Sequence, residues 1–240
     1  MLHGPQRERA ELSFSVPAVC AQDVEQGRVQ IGLVPVAEIA RQQLEVVPGV
    51  GIACRGAVRS ILLVSRCPFA RIRRLAVDSS SRTSVHLARV ILRERFGAEP
   101  ELTPAPPDLD QMLAHADAAL IIGDPALRLT PEALPYEWLD LGAEWLTLTG
   151  LPMVFAAWAG KPGLDSEALA AITRGSYAYG KTRINEIAQT ECAKRGVTEE
   201  LADHYLRHNI QFELGIEEQG GLSAFYELAS LELVEKGELA

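Results

Sequence analysis

No apolar run in the 240 residues approaches the length that spans a bilayer, so no membrane-crossing helix is expected and a membrane is not an expected partner. The opening stretch, Met1-Leu-His-Gly-Pro-Gln-Arg-Glu-Arg9, lacks the apolar centre of a secretory signal, which makes the cytoplasm the expected compartment. Cysteine is scarce. Cys20, Cys54, Cys67 and Cys192 show no CxxC or other metal spacing, and scattered thiols in an unexported chain are expected to be reduced. There is no GxGxxG, no GxxxxGK[ST] and no GxSxG, so neither a nucleotide cofactor nor a hydrolase elbow has support. His204 and His208 stand four apart on an expected helix, but HExxH is absent and no third ligand is apparent, so no metal is expected. Asp140 and Glu144 share an i, i+4 spacing that does not by itself demand paired-carboxylate chemistry. Basic residues are outnumbered 23 to 32, and a net charge of −9 argues against nucleic acid or an anionic membrane as partner. An acidic chain still accommodates a local anion site, because helix ends and one or two arginines set the local potential.

Apolar content is ample for a large core, in one α/β domain or two lobes. Residues 11–16 alternate polar and apolar, the pattern of a half-buried strand. A helix opened by Pro17 over 18–25 and closed by Gly27 follows, then a strand over 29–35 and a helix over 36–44. Residues 46–54 read as extended, 55–60 as a turn, and the fully apolar 61–65 as a strand buried on both faces. Pro104-Ala-Pro-Pro107 reads as a rigid surface connection before a helix over 108–115 and a strand over 118–122. Residues 136–145 are mixed, and 151–158 form a last apolar strand. From Asp165 the pattern is helical, with Gly196, Gly215 and Gly220-Gly221 as breaks and a late helix over 222–234 expected to pack within the chain. Alternating strands and helices predict mainly parallel sheets. The strands at 61–65 and 153–158 bracket a self-contained segment. This suggests a discontinuous first lobe (1–60 and 156–240), a second lobe inserted at 61–155, and a cleft between them.

The chain is organised around residues 75–96, where a short apolar strand runs through a Ser/Thr-rich elbow into a helix with apolar residues at Val85, Leu87, Ala88, Ile91, Leu92 and Phe96. First-turn amides of such a helix lack internal partners and carry the positive end of its dipole. Ser81, Arg82, Thr83 and Ser84 surround that point, which suits a carboxylate or phosphate. One of these hydroxyls is also expected simply to cap the helix. Gly123 and Asp124 follow the end of the 118–122 strand, where ligands gather in open α/β sheets, and Gly123 permits close backbone approach. Asp124 has the competing reading of a helix cap for 125–128.

Five stretches then occur in a telling order: Gly56-Ala-Val-Arg-Ser60, Ser79-Ser-Ser-Arg-Thr-Ser84, Asp117-Ala-Ala-Leu-Ile-Ile-Gly-Asp124 with Leu127, Leu141-Gly-Ala-Glu-Trp145, and Thr149-Gly-Leu-Pro-Met-Val-Phe-Ala-Ala-Trp158. In this order they resemble the chorismate dehydratases of the futalosine route to menaquinone. The similarity covers most of the chain and is strongest over 47–158. It implies a type II periplasmic-binding-protein-like fold, with two α/β lobes and the substrate, chorismate, between them. It also implies loss of water to give 3-[(1-carboxyvinyl)oxy]benzoate, without redox cofactor or metal. Ser60 matches the family's active-site serine and is the expected donor to the ring carboxylate. Ser81, Thr83 and Ser84 are expected to hold a carboxylate at the helix start. No His, Lys or carboxylate pair in these motifs presents itself as a base, and the substrate's own enolpyruvyl carboxylate is a candidate acceptor of the proton.

Members of the family begin with a strand ending in Ser-x-Leu-Asn, whose Asn lies in the active site, and reach the equivalent of Leu2-His-Gly-Pro only afterwards. No residue here takes the Asn role. Without that strand, two neighbours in the first sheet are expected to be exposed. Two other readings share the fold. One is a non-catalytic module that closes on a small carboxylate, and the other is the sister enzyme that makes 1,4-dihydroxy-6-naphthoate. The Ser-Arg-Thr-Ser and Gly-Leu-Pro-Met-Val-Phe-Ala runs resemble the dehydratase more closely. Oligomeric state is not legible.

Overall fold

The computed structural model describes residues 1, 3–78 and 82–231. The first helix, α1 (Pro17–Glu25), leads to β1 (Ile31–Pro35), α2 (Val36–Gln42) and β2 (Glu45–Cys54). The chain then crosses to a second sheet through β3 (Ile61–Ser65), β4 (Arg74–Val77), α3 (Arg82–Phe96), β5 (Glu101–Pro104), α4 (Leu109–His115), β6 (Ala118–Ile122), α5 (Gly123–Leu127), β7 (Glu137–Asp140) and α6 (Leu141–Thr149). It returns as β8 (Met153–Gly160) and finishes with α7 (Ser166–Lys181), α8 (Ile184–Arg195), α9 (Glu199–His204), a π-helical turn Tyr205–Asn209, β9 (Gln211–Glu213) and α10 (Ile216–Leu228).

Two sheets result, with strand orders β1-β8-β2-β9 and β5-β4-β6-β3-β7. Their pairing is mixed, which corrects the expectation of mainly parallel sheets. β4 pairs in parallel with β5 and β6, as βαβ connections require. β3 runs antiparallel to β6 and β7, and β8 antiparallel to β1 and β2. The reason is the crossing. β3 and β8 each arrive from the other sheet and insert against the local strand direction, so β1 and β2 never touch as neighbours.

The segment at residues 11–16 forms no strand, contrary to its alternation. It carries no regular secondary structure, with Phe14 and Val16 exposed. β1 has β8 on one side and no strand on the other among the described residues. Alternation marks a surface able to pair; the ladder itself needs a partner. The short strands β5, β7 and β9 escape the sequence pattern, because three or four residues of mixed polarity carry no period.

One continuous core joins β3, β4, α3, α6, β8 and α10. A smaller one, with Leu62, Val64, Met112 and Ile121, covers the other face of the second sheet beneath α4 and α5. Trp145 and Phe225 meet edge-on at 6.0 Å, and the Trp145 indole N–H donates to the Pro152 carbonyl at 3.1 Å. Tyr226 of α10 donates to the Val36 carbonyl at 3.1 Å, so the late helix packs within the chain. That helix starts six residues earlier than the sequence suggests, and residues 232–234 of the expected span lie outside the described residues. Gly220-Gly221 is not a break but the middle of α10. A Cβ at Gly221 would overlap the Pro152 carbonyl oxygen, so this glycine permits close helix–strand approach. Gly196 closes α8 in the left-handed conformation, and Gly215 opens α10 as its N-cap. Among the described residues no helix is long and apolar enough to cross a membrane.

Candidate functional site

The register of the second sheet assembles one edge. Ile61 pairs with Ile122, Leu62 with Asp140, and Val77 with Leu120. The start of β3 and the ends of β4, β6 and β7 therefore meet there. Ser60 directly precedes β3, Gly123 directly follows β6, and α3 begins at Arg82 after β4 ends at Val77. With strands about 4.8 Å apart and β6 between β4 and β3, the adjoining ends of β4 and β3 stand about 10 Å apart.

Ser60 is fixed from several sides and only 6% exposed. Its carbonyl accepts from the Gly123 amide at 2.8 Å. Its Oγ accepts from the Tyr205 hydroxyl at 3.0 Å. Before it, Arg59 sits in the left-handed region (φ 66°), an unusual state for a side chain of that size. The buried Asp140 carboxylate holds that turn, with Oδ1 accepting from the Val58 amide at 2.9 Å and Oδ2 from the Arg59 amide at 2.6 Å. The same Oδ1 caps α6 through the Gly142 and Ala143 amides, at 3.0 and 3.1 Å. The Arg59 guanidinium donates to the carbonyls of Ala126 and Leu129 behind α5. Asn209 donates to the Ala57 carbonyl at 2.9 Å. Residues 57–60 are thus clamped by β7, α5 and the π-turn together.

The other expected residues divide. Gly123 has φ 63°, its amide is taken by Ser60, and a side chain there would meet only open space. Asp124 is not a cap. It lies inside α5, whose N-cap is Ile122, and pairs with Arg195 at 3.2 Å. Arg82 is not free at the helix head, because it pairs with Glu38 of α2 at 2.8 Å. Glu38 is buried and also accepts from Arg41 at 2.9 Å and Gln42 at 3.1 Å. Burial pushes its carboxyl up, but the hydrogen bonds from Arg41 and Gln42 and the charges of Arg41 and Arg82 outweigh that and hold it low. Thr83 Oγ1 accepts the Ala37 amide at 3.2 Å, capping α2 from another helix and keeping its own O–H as a donor. Ser84 is buried at the same helix start, and Ser81 lies outside the described residues.

The sequence does not single out Asp140, Tyr205 and Asn209 for this site. Asp140 preceding α6 does carry a cap signature. Tyr205 and Asn209 come from 145 and 152 residues away, with no local motif. His204, at the end of α9, and His208, in the π-turn, are exposed with their rings tilted and 4.8 Å apart, and among the described residues no group of three metal-capable side chains forms.

What the edge can do chemically follows from its donors. A serine hydroxyl, a threonine hydroxyl and the amides of a helix start are all suited to carboxylate oxygens.

Two solved structures share this architecture. Protein AF1704 from Archaeoglobus fulgidus superposes with a TM-score of 0.69 at 16% identity, covering 92% of this chain and 85% of its own. The periplasmic aliphatic sulphonate binding protein SsuA from Escherichia coli gives 0.61 at 14% identity, covering 95% and 84%. At such identities the likeness defines the fold, which is periplasmic-binding-protein-like α/β with two mixed sheets.

A closer relationship lies in the sequence. The chorismate dehydratase of Thermus thermophilus is 32% identical over 235 residues, which covers 90% of this chain and 86% of that protein. The family model described as Menaquinone biosynthesis matches residues 1–231. The chain belongs to that menaquinone-biosynthesis family.

Proposed function

We propose that this chain is a hydro-lyase that removes water from chorismate to give 3-[(1-carboxyvinyl)oxy]benzoate. The observation that carries the reading is the match to a chorismate dehydratase across most of both chains. The donor-lined sheet edge at Ser60 supports it, since chorismate presents two carboxylates. The expected lobe boundary between residues 155 and 156 falls inside β8, so the return to the first lobe comes at the start of that strand. Strand β8 already enters the first sheet at Met153, which pairs with Cys54. The reaction belongs to the futalosine route and takes place in the cytoplasm.

The chemistry is redox-neutral. A C–H bond breaks at the ring carbon bearing the ether, and its electron pair spreads through the diene onto the ring carboxylate. The C–O bond at the neighbouring carbinol carbon then breaks, a ring double bond forms, and hydroxide leaves as water with one proton. Aromaticity drives the second stage. Ser60 donates to the ring carboxylate, whose charge is greatest in the carbanion-like transition state, so that bond is stronger there than in the ground state. Thr83, Ser84 and Ser81, with amides at the start of α3, bind a carboxylate. The substrate's enolpyruvyl carboxylate accepts the ring proton. Arg82, Gly123 and Asp124 shape the site around the substrate.

The test is turnover of chorismate followed by aromatic absorbance and product mass. Ser60→Ala is expected to lower kcat by about 10²-fold, the usual effect of losing one donor to developing charge. Full turnover with unchanged KM in that variant counts against the assignment of Ser60.

A further inference from the structure

The π-turn of Tyr205–Asn209 is not explained by packing alone. π-helical turns are rare and gather at functional positions. This one aims two side chains at one short loop, with Asn209 on the Ala57 carbonyl and Tyr205 on Ser60 Oγ. The first contact holds backbone. The second reaches the one atom for which the reaction has a use.

A serine hydroxyl offers one hydrogen and two lone pairs. The Tyr205 O–H occupies a lone pair at 3.0 Å, so the serine hydrogen is not spent on the phenol and remains available to a ligand. Donation into Oγ also polarises the serine O–H, since linked hydrogen bonds strengthen one another in a low-dielectric site. Burial pushes the Tyr205 phenol above its ordinary value, so it stays protonated and keeps its donor at any pH near neutrality. The arrangement is a relay of two hydroxyls, with the phenol at the protein end and a carboxylate oxygen at the other.

We infer that Tyr205 is a positioning residue for Ser60, holding the serine hydroxyl so that its hydrogen points to the substrate carboxylate. The inference rests on the hydro-lyase reading above. Tyr205 touches no substrate itself; it acts through Ser60 Oγ.

The test is a double-mutant cycle on chorismate turnover with wild type, Tyr205→Phe, Ser60→Ala and the double variant, each checked for an unchanged far-ultraviolet spectrum. Tyr205→Phe is expected to lower kcat about threefold to tenfold, the scale of one net hydrogen bond, with KM changed less than twofold. Added to Ser60→Ala, it is expected to cost nothing more, because the two residues act as one unit. Should Tyr205→Phe fail to fold, Tyr205→Met supplies a second donor-free side chain and the same pattern is expected. Equal losses from Tyr205→Phe in the wild-type and Ser60→Ala backgrounds overturn the inference alone, as does an effect confined to KM. No product from the wild type overturns the hydro-lyase reading, and this inference with it.

Discussion

Adjacent glycines in α10 should respond to the same substitution with opposite signs. Gly→Ala in a helix interior gains about 0.8–1.0 kcal/mol of helix propensity at either position. At Gly220 the new methyl would meet Leu151 Cδ2 at 3.9 Å, an ordinary contact, so the gain survives. At Gly221 the methyl would overlap the Pro152 carbonyl oxygen, a backbone atom leading into β8. Pushing the two elements apart costs about 1–3 kcal/mol. The same oxygen accepts the Trp145 indole N–H at 3.1 Å, and weakening that buried bond adds about 1 kcal/mol. Gly221→Ala is therefore expected to destabilise by about 1–3 kcal/mol net, and Gly220→Ala to stabilise by up to about 1 kcal/mol. Urea unfolding followed by tryptophan fluorescence reads both. With a slope of about 2–3 kcal/mol/M, the two midpoints should separate by roughly 1 M. A Gly221→Ala midpoint at or above wild type would refute the close approach of α10 to β8. A destabilised Gly220→Ala would show that the pair is a break after all.

Three further substitutions probe the clamp and the helix junction. Asp140→Ala removes the acceptor for four amides and should cost about 2–4 kcal/mol in urea unfolding. Asp140→Asn keeps the Oδ1 bonds, loses only that from the Arg59 amide and should cost about 1–2 kcal/mol; equal losses from the two variants would contradict the division of bonds between the two oxygens. Glu38→Gln should destabilise by about 1–2 kcal/mol at neutral pH, discounted because Arg41 and Arg82 are half exposed. The folded carboxyl is held low, so its stabilising effect is full above the ordinary glutamate range and is lost as pH falls through the folded value. The gap between wild type and variant should accordingly close on acidification, and a constant or widening gap would be the wrong sign.

Particular elements show why parts of this molecule are legible in the sequence. The strands β3, β6 and β8 are apolar runs that must be buried on both faces, and each appears close to where the pattern puts it. The head of α3 is legible from its hydroxyls and helical period, and the resemblance points to Ser60. What surrounds Ser60 is not legible. Asp140, Tyr205 and Asn209 reach it through the tertiary fold, and a lone Tyr in a helical tail has no signature. Arg82 reads as part of an anion site in the sequence, but its partner Glu38 lies in a different helix and no local rule pairs them. The alternation over residues 11–16 and the paired glycines of α10 mislead for one shared reason: both patterns describe what a segment permits, and the neighbour decides what it does.

The insertion of β8 between β1 and β2 also sets an order of assembly during synthesis. Neither early strand pairs with the other, so both must wait until residue 160 has left the ribosome before their ladder can close. The second sheet needs nothing beyond Asp140 and can complete first. Until then β1 and β2 stay unpaired beside a finished neighbour, exposed to other nascent chains. The slow, long-range closure falls on the half of the molecule that is begun first and finished last.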